Sequence, residues 1–333
     1  MADLELRKKI EDFIKSLNIE CYGFTECREF VELREYFELK VKNLYLTEFE
    51  NNDINRRTNP FVYFKEGKTI ISIAIPYLRE VEEYNKYFSK YTQGNDYHQV
   101  VFDYLNKIGE FIKEQGYSFQ SFCDTNDLPE RYIAYLSGVG HIGRNSLIYT
   151  KKYGSYVFLG EIITDAKLCD ELSQEYYYNK YKEIAEFKQC GKCSNCLKKC
   201  PNQVLYIKNF NKCVSNLTQQ KNLNEEEVEN LNGMIFGCDV CQDVCPKNRN
   251  IEYSFEEKFN VNEFLNNTDE LTMANMDNKF FKEKFKLLAC SWRGKNLLRR
   301  NIMIKNKQNK DFIKNVDSNK SEYMDRYKDL FLK

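Results

Sequence analysis

The sequence is poor in histidine, carries no net charge and has no long apolar run. Its 333 residues include only two histidines, His98 and His141, too few for a metal site of several imidazoles. Lysine plus arginine equals aspartate plus glutamate, at 50 each, which argues against a global positive field for nucleic acid. The longest apolar run, 70–78, is too short to span a bilayer, and the N-terminus lacks a signal-peptide core. We therefore expect a cytoplasmic protein without a membrane partner.

Cysteine, by contrast, is abundant, and eight of the thirteen cysteines lie in or between two short runs. The first run, CxxCxxCxxxCP, covers 190–201, and the second, CxxCxxxCP, covers 238–246. In the bacterial ferredoxin spacing, three cysteines hold one [4Fe–4S] cluster and the fourth ligates a second cluster. The second run lacks one cysteine, which Cys213 can supply. We assign one cluster to Cys190, Cys193, Cys196 and Cys245 and the other to Cys200, Cys213, Cys238 and Cys241.

Zinc and disulfide bonds are the alternative uses of these cysteines. Structural zinc sites favour two CxxC pairs or mixtures of cysteine and histidine, and the longer spacing here is more specific than that. Disulfides are typical of secreted chains. The other five cysteines show no framework spacing and are expected to be free thiols: Cys21, Cys27, Cys123, Cys169 and Cys290.

Apolar periodicity divides the chain into four regions. These are an α/β domain over 1–165, a polar linker over 166–188, a ferredoxin-like cluster domain over 189–250 and a helical region over 251–333. The elements expected in the first domain are helices over 3–17 and 26–46, a buried strand over 69–75, a helix ended by Gly116, a strand over 119–123, and paired strands over 146–149 and 156–163.

Two features of the first domain could carry chemistry. Asp124 follows a strand, and the carboxyl end of a strand is where α/β folds present reactive groups, although turns and helix caps also favour aspartate. Gly138, Gly140 and Gly143 have the spacing of a dinucleotide-binding turn. That turn should join a strand directly to a helix, whereas here a helix precedes it and strands follow, so this interpretation is disfavoured.

The last region contains a basic stretch that only Glu283 opposes locally. Either it is a solvated helix face, or its single sign binds a polyanion. The cations are Lys282, Lys284, Lys286, Arg293, Lys295, Arg299, Arg300, Lys305, Lys307 and Lys310.

Taken together, these segments resemble the epoxyqueuosine reductase family of cobalamin-dependent iron–sulfur enzymes that modify tRNA. The resemblance covers most of the chain. It rests on both cysteine runs and on the stretches 57–60, 91–98, 124–131, 138–145, 154–161, 213–218, 292–295 and 299–301.

The resemblance implies a nitroreductase-like α/β fold that binds cobalamin, followed by the two clusters. It also implies that Asp124 donates a proton to the departing epoxide oxygen, which calls for a desolvated carboxylic acid. The implied partners are tRNA and an external low-potential electron donor, and the chain is expected to be a monomer. The positions implied for the cobalamin pocket are Arg57, Tyr97, His98, Arg131, Gly138, Gly140, His141, Gly143, Arg144, Asn145 and Ser215.

The chain departs from the family pattern in places. Arg144 stands where the family usually has lysine, and His141 where an aromatic residue is common. The helical-repeat tail of longer members is expected to be short or missing here. Two alternatives are a related corrinoid reductase acting on a small molecule and a ferredoxin-type electron carrier without catalytic activity.

Overall fold

A computed structural model describes residues 2–333 and contains a four-stranded sheet. The main strands are β1 (Cys21–Glu26), β2 (Thr69–Pro76), β3 (Phe119–Phe122) and β6 (Val157–Thr164), and β4 (His141–Ile142) and β5 (Ile148–Tyr149) form a separate hairpin. The main sheet has the order β1-β2-β6-β3, with every neighbouring pair antiparallel. All eight residues of β2 are buried, as expected for a central strand covered on both faces.

Helices account for most of the remaining structure. The longer ones are α1 (Leu4–Ser16), α2 (Arg34–Lys42), α4 (Tyr97–Glu114), α5 (Glu130–Leu136), α6 (Gln174–Ala185), α15 (Lys295–Lys305), α16 (Lys310–Asn315) and α17 (Glu322–Leu332). The short ones are α3 (Ile54–Thr58), α7 (Asn195–Lys199), α8 (Val204–Ile207), α9 (Val214–Leu217), α10 (Glu225–Glu229), α11 (Val240–Asp243), α12 (Phe264–Asn267), α13 (Glu270–Ala274) and α14 (Asn278–Phe280). None of the helices in 2–333 is both long and apolar enough to cross a membrane.

Helices cover both faces of the sheet because its strands alternate their apolar side chains between two cores. Ile71, Ile73 and Ile75 of β2 pack with α1 and α4. Ile70 and Ala74 point the other way and pack with α2, α5 and α6. Successive strand residues face opposite sides, so a continuous apolar run such as β2 requires a three-layer arrangement. The prediction of a buried strand over 69–75 is confirmed.

The predicted pairing of 146–149 with 156–163 is wrong. β5 pairs with β4 instead, and β6 lies in the main sheet between β2 and β3. The eight residues of β6 form a ladder with β2 along their whole length, which the two-residue β5 cannot match. The predicted helix over 26–46 is also too long, because β1 ends at Glu26 and α2 covers only 34–42.

The region 166–188, predicted as a linker, contains α6, which packs on the sheet through Tyr177, Tyr181 and Ile184. The boundary expected near 250 also falls inside a shared core. Leu217 and Phe236, from the segment between the cysteine runs, pack with Leu298 and Ile302 of α15 and with Tyr327 of α17. The cluster segment and the C-terminal helices therefore share one apolar core.

The basic stretch does not form a surface of one sign. Arg299 and Arg300 are fully buried. Lys305 pairs with Glu270, with Nζ and Oε1 2.6 Å apart, and Lys307 pairs with Glu229. The interpretation as a solvated helix face is wrong for these residues, because tertiary contacts bring in carboxylates from distant segments. Lys282, Lys284 and Lys286 remain exposed.

Candidate active site

Asp124 lies on the loop after β3, in a left-handed backbone conformation with φ of 51°. Aspartate is one of the few L-residues that adopt this region readily. The amide N–H of Asp124 donates a hydrogen bond to Glu130 Oε1 at 2.8 Å, which ties the loop to the first residue of α5. The side chain of Asp124 is exposed. The expected desolvated pocket is therefore wrong for this structure, because the carboxyl is on a surface loop.

The side chain that meets the Asp124 carboxyl is Tyr97, at the start of α4. Its hydroxyl donates a hydrogen bond to Asp124 Oδ2. The tyrosine ring stacks on Phe158 of β6, with centroids 4.2 Å apart and planes within 7°. Burial raises the pKa of Tyr97 well above its usual range, and the Asp124 charge raises it further. The phenol therefore stays protonated and available as a donor.

His98 lies next to this pair, but its hydrogen bond goes elsewhere. Its Nδ1 is 2.7 Å from Asp96 Oδ1, and its ring stacks on Tyr97 with centroids 4.1 Å apart. Burial lowers the pKa of His98, but the hydrogen bond and charge of Asp96 outweigh burial and leave the pKa raised. His98 can therefore carry positive charge at the edge of the Asp124 site.

Sequence reasoning missed two carboxyls next to Asp124, the half-buried Glu130 and the buried Glu161. Glu130 opens α5, and Glu161 lies in the middle of β6. Burial raises the pKa of both groups, and the charge of Asp124 contributes to each shift. Both Glu161 oxygens are buried without a hydrogen-bond partner. A charged residue inside an apolar strand was the signal that could have identified Glu161.

Arg57 and Arg131 lie near each other, and each guanidinium already bonds to a protein group. The Arg57 guanidinium is 2.8 Å from Glu50 Oε1 and lies over the ring of Phe37. Arg131 donates to the carbonyl of Ser146 at 2.6 Å. Burial opposes ionisation of Glu50, but hydrogen bonds from Lys40 and Arg57 lower its pKa to about 2. Arg131 follows Glu130, so it lies at the same end of α5 as the Asp124 loop.

The glycine-rich turn joins α5 to the β4–β5 hairpin, as the sequence pattern indicated. Gly138 ends the helix in a left-handed conformation, with φ of 81°. Gly140 packs against the strand: a Cβ there would lie 2.5 Å from the carbonyl oxygen of Tyr149. Gly138 therefore terminates the helix, and Gly140 allows the turn to pack closely against the strand. Gly143 and the buried Asn145 complete the turn, with Asn145 Oδ1 accepting from the Leu147 amide.

The same turn contacts the first cysteine run. Arg144 donates to the carbonyl of Gly191 at 2.7 Å, and its guanidinium lies over the ring of Phe187. Its Nε is buried without a partner. His141 lies beside Tyr149 on the exposed side of the turn. Partial desolvation of its ring lowers its pKa, and the nearby positive charge of Lys247 lowers the pKa further. This end of the first domain therefore faces the cysteine segment.

The eight cysteines of the two runs fall into two neighbouring groups. The thiol of Cys196 lies close enough to those of Cys190, Cys193 and Cys245 for their charges to raise its pKa. Those of Cys238 include Cys200 and Cys213, and those of Cys241 include Cys238 and Cys213. Cys196 is also a neighbour of Cys241, so the two groups are adjacent. The predicted assignment to two clusters divides the cysteines in the same way, and it stays a prediction.

Backbone amides point at several of these thiols. Ser215 and Asn216 direct N–H groups to Cys213, and Val240 directs one to Cys238. Hydrogen bonds to cluster sulfurs stabilise the thiolate and tune the reduction potential. Among residues 2–333, no three Cys, His, Asp or Glu side chains converge on a point that one metal ion could occupy. The thiolates of a [4Fe–4S] cube each bind a different iron and need not converge in that way.

Ser215, which is predicted to border the cobalamin pocket, makes its contacts here through its backbone. Besides the N–H directed at Cys213, its carbonyl accepts from Thr218 Oγ1 and Gln219 Nε2. Gln219 in turn accepts from the indole of Trp292, which is half exposed. Ser215 therefore lies between the second cysteine group and an exposed aromatic side chain.

The second cysteine run is fixed to the first domain by buried polar contacts. Gln242 Nε2 donates to Tyr77 Oη and to the carbonyl of Ser155. Asn248 Oδ1 accepts from the Ser155 amide at 2.7 Å. Asp239 accepts from the hydroxyl of Ser89. These bonds hold the cysteine loops in a defined position on the sheet domain.

Two cavities lie elsewhere. One, of about 540 Å³, is lined by residues including Arg7, Tyr22 and Phe24. The other, of about 300 Å³, is lined by residues including Asn85 and Leu265. Neither is lined by Asp124 or by a cysteine of the two runs. The candidate active site is therefore the carboxyl group at Asp124 with the side chains around it.

Known proteins combine the same features. A family model described as epoxyqueuosine reductase QueG matches residues 57–125, and one described as a 4Fe-4S double cluster binding domain matches 189–248. The epoxyqueuosine reductase of Lactococcus garvieae is 32% identical over 311 residues, covering 90% of this chain and 85% of that protein. The chain belongs to the epoxyqueuosine reductase family.

Solved structures of epoxyqueuosine reductases have the same fold. One, crystallised with an epoxyqueuosine-modified tRNA-Tyr stem loop, is 26% identical, with a TM-score of 0.86, over 98% of this chain and 89% of that one. Another, from Bacillus subtilis, is 25% identical, has a TM-score of 0.84 and covers the same shares. Its catalytic loop is swung out of the active site. The family relationship establishes an oxidoreductase with a mixed α and β fold and a double-cluster segment.

Proposed function

We propose that this protein reduces epoxyqueuosine to queuosine in tRNA. Conversion of an epoxide to an alkene consumes two electrons and two protons and releases the oxygen as water. The observation that carries the proposal is the position of Asp124 within a group of carboxyls, in a domain that also contacts two adjacent sets of four cysteines. Electron delivery and proton delivery are thus combined in one chain.

The residues present fit two [4Fe–4S] clusters. Cys190, Cys193, Cys196 and Cys245 would hold one, and Cys200, Cys213, Cys238 and Cys241 the other. Backbone N–H groups already point at these sulfurs, as a cluster site requires. When bound, clusters at these two adjacent cysteine groups would supply one-electron transfer for a reaction that consumes two electrons.

The residues around the glycine-rich turn also fit cobalamin, which would supply low-potential cobalt chemistry to the epoxide. A corrin ring carries amide arms, and buried donors without partners are available at Arg144 Nε, Tyr149 Oη and Asn126 Nδ2. A Cβ at Gly138 would meet nothing within 4 Å, so there is open space beside the turn. We infer that Arg131, His141, Gly143 and Asn145 border this pocket, with Arg57, Tyr97 and His98 at its periphery, and that the domain is nitroreductase-like.

Asp124 is the residue that we expect to protonate the departing oxygen. Its exposed carboxyl lies within reach of a bound nucleoside, and the Tyr97 hydroxyl orients it. Asp124→Asn keeps the size of the side chain and removes the acidic proton. A positioned acid contributes about 10²–10⁴-fold to rate, and we expect a loss in that range with both cofactors still bound.

The test is nucleoside analysis of epoxyqueuosine-bearing tRNA after incubation with the reduced, reconstituted enzyme. Native protein should convert epoxyqueuosine to queuosine, and Asp124→Asn should not. Lys113→Gln, an exposed change on α4, serves as the control and should keep native activity. Persistence of epoxyqueuosine with native, fully loaded protein would overturn the proposal.

We further propose a cytoplasmic monomer that receives electrons from an external low-potential donor. We propose the cytoplasm as the compartment because the proposed substrate is tRNA. The exposed cations Lys282, Lys284 and Lys286, together with half-exposed Trp292, are the groups that we expect to contact tRNA. Phosphate contacts by lysine and stacking on an aromatic ring are the usual means of holding RNA.

A further inference from the structure

Glu161 is a buried acid in an otherwise apolar part of the sheet. It lies in the middle of β6, opposite Ser72 of β2 and Phe122 of β3. Val157 and Ile163, on the same face of β6, both belong to the apolar core against α5. The side chain of Glu161 is buried, neither oxygen accepts a hydrogen bond from a donor group, and the carboxyl faces Ser72 and the Glu130 carboxyl. Burying a carboxyl in this way costs free energy that an apolar side chain would not cost.

The groups facing Glu161 connect it to the Asp124 loop. Glu130 and Asp124 are its charged neighbours, and Ser72 is its partner on the adjacent strand. Glu130 is bonded to the Asp124 amide, and Arg131 is the cation that opposes its protonation. None of the ion pairs within 2–333 involves Glu161 or Glu130. In the part of the chain that the structure describes, no cation is among the groups that face Glu161, and burial without a countercharge favours the protonated form of a carboxyl.

The proposed reaction consumes two protons, whereas Asp124 can release only one at a time. Bound substrate would lie against the exposed side of Asp124, where water otherwise reaches it. Glu130 contacts the same loop from the helix side, through the Asp124 amide. A second proton can therefore reach Asp124 from the protein interior.

We propose that Glu130 and Glu161 form a proton store that recharges Asp124 during each turnover. The O–H bond of the Glu130 carboxylic acid breaks as one forms on the Asp124 carboxylate, and Glu161 then returns a proton to Glu130. Water recharges the store after product leaves. The two electrons would come from the external low-potential donor by way of the clusters that the cysteines would hold. This inference rests on the proposed function and adds the route of the second proton.

The experiment compares native enzyme with Glu161→Leu, Glu161→Gln and Glu161→Asp. Leucine fits the apolar surroundings, so we expect Glu161→Leu to fold with a Tm equal to or above native. Its turnover should nevertheless fall about 10²-fold, the lower end of the range for a group that transfers protons. As the pH is raised, the activity of Glu161→Leu should be lost at a lower pH than the activity of native enzyme, because the variant has no stored proton. Glu161→Asp should restore part of the rate, and Glu161→Gln should not.

Infrared spectroscopy of the cofactor-loaded protein gives a readout independent of activity. Native protein at neutral pH should show the C=O band of a buried carboxylic acid, and Glu161→Leu should lose part of it. Glu32→Gln is the matched control, because Glu32 is buried but paired with Arg28 away from Asp124. It should lower Tm without changing the pH profile.

Two results would overturn the proton store. One is an infrared band that is identical in native and Glu161→Leu protein. The other is native turnover with an unchanged pH profile in Glu161→Leu. Failure of the native enzyme itself to convert epoxyqueuosine would instead refute the proposed function, and the infrared comparison would still decide whether Glu161 holds a proton.

Discussion

Glu130 has two physical roles at the scale of a single residue. Its carboxyl accepts the amide of Asp124, which fixes the loop, and its burial keeps a proton on it at a pH where exposed glutamate is ionised. The two roles are compatible because a protonated carboxyl still has an acceptor oxygen. A change at Glu130 should therefore alter the pH dependence of stability as well as catalysis.

The first prediction concerns this pH dependence. Because burial raises the pKa of Glu130 in the folded state, the native protein binds a proton that the unfolded chain releases above about pH 4.5. The contribution of Glu130 to the free energy of unfolding is fully present below that pH. It is lost as the pH rises toward the pKa of Glu130 in the folded protein. Glu130→Gln should flatten the fall in Tm over this range, as measured by thermal unfolding across pH.

Lys113→Gln, again as an exposed control, should leave the slope unchanged, because its charge is solvated. A Tm curve for Glu130→Gln that parallels the native curve at every pH would mean that Glu130 is ionised in the folded protein. The proton store would then lack its middle member.

Helix α15 shows, at the scale of an element, how the cluster loops are held. Asn301 Nδ2 donates to the carbonyls of Thr218 and Ile235, both at 2.8 Å and fully buried. Thr218 follows the helix after Cys213, and Ile235 precedes Cys238. Arg300 adds bonds to the carbonyls of Gln220 and Lys221. A helix predicted to face solvent or RNA is thus the inner support of the second cluster site.

The second prediction follows from these bonds. Asn301→Ala leaves two buried carbonyls without donors, and each such loss costs about 1–3 kcal/mol. We expect a lower Tm and a selective loss of the cluster held by Cys213 and Cys238. Iron content per chain, measured together with circular dichroism, should fall from about eight toward about four.

Asn306→Ala is a matched change on the same helix, since the Asn306 side chain bonds to the partly exposed Glu270. It should leave the iron content at the native level. Equal iron content in both variants would show that α15 does not position the second cysteine group.

At the scale of the whole molecule, the sheet domain and the cysteine segment should unfold as one unit. The bond from Gln242 to Ser155 is buried, the bond between Asn248 and Ser155 is partly buried, and Tyr77 and Asp239 add further contacts. This rigidity would keep the clusters at a constant distance from the Asp124 loop. Electron delivery depends on such a fixed geometry.

The third prediction tests this coupling. Asn248→Ala removes the bonds to Ser155, and we expect unfolding of the cluster segment to separate from that of the sheet domain. Cluster absorbance and far-ultraviolet circular dichroism, followed in the same thermal scan, should coincide in native protein and diverge in the variant. Asn267→Ala, an exposed position, should behave as native. Coincident transitions in Asn248→Ala would show that the interface holds without this bond.

Predictions from the sequence succeeded where the signal was local. The cysteine spacing predicted the double-cluster segment, and the run over 69–75 predicted a central strand, because both depend on residues close together in the chain. The predictions failed where partners were distant. Lys305 and Lys307 were expected to face solvent or to bind a polyanion, but Glu270 and Glu229 neutralise them from other segments.

The sequence by itself determined the cluster chemistry, the apolar strands and the family, since each is encoded in short spacings and periodicities. Only the tertiary structure decided which ionisable groups meet. Asp124, Glu130 and Glu161 come from a loop, a helix and a strand, and only chain folding brings their carboxyls together. Whether a carboxyl is charged depends on its burial and neighbours, which are properties of the folded molecule.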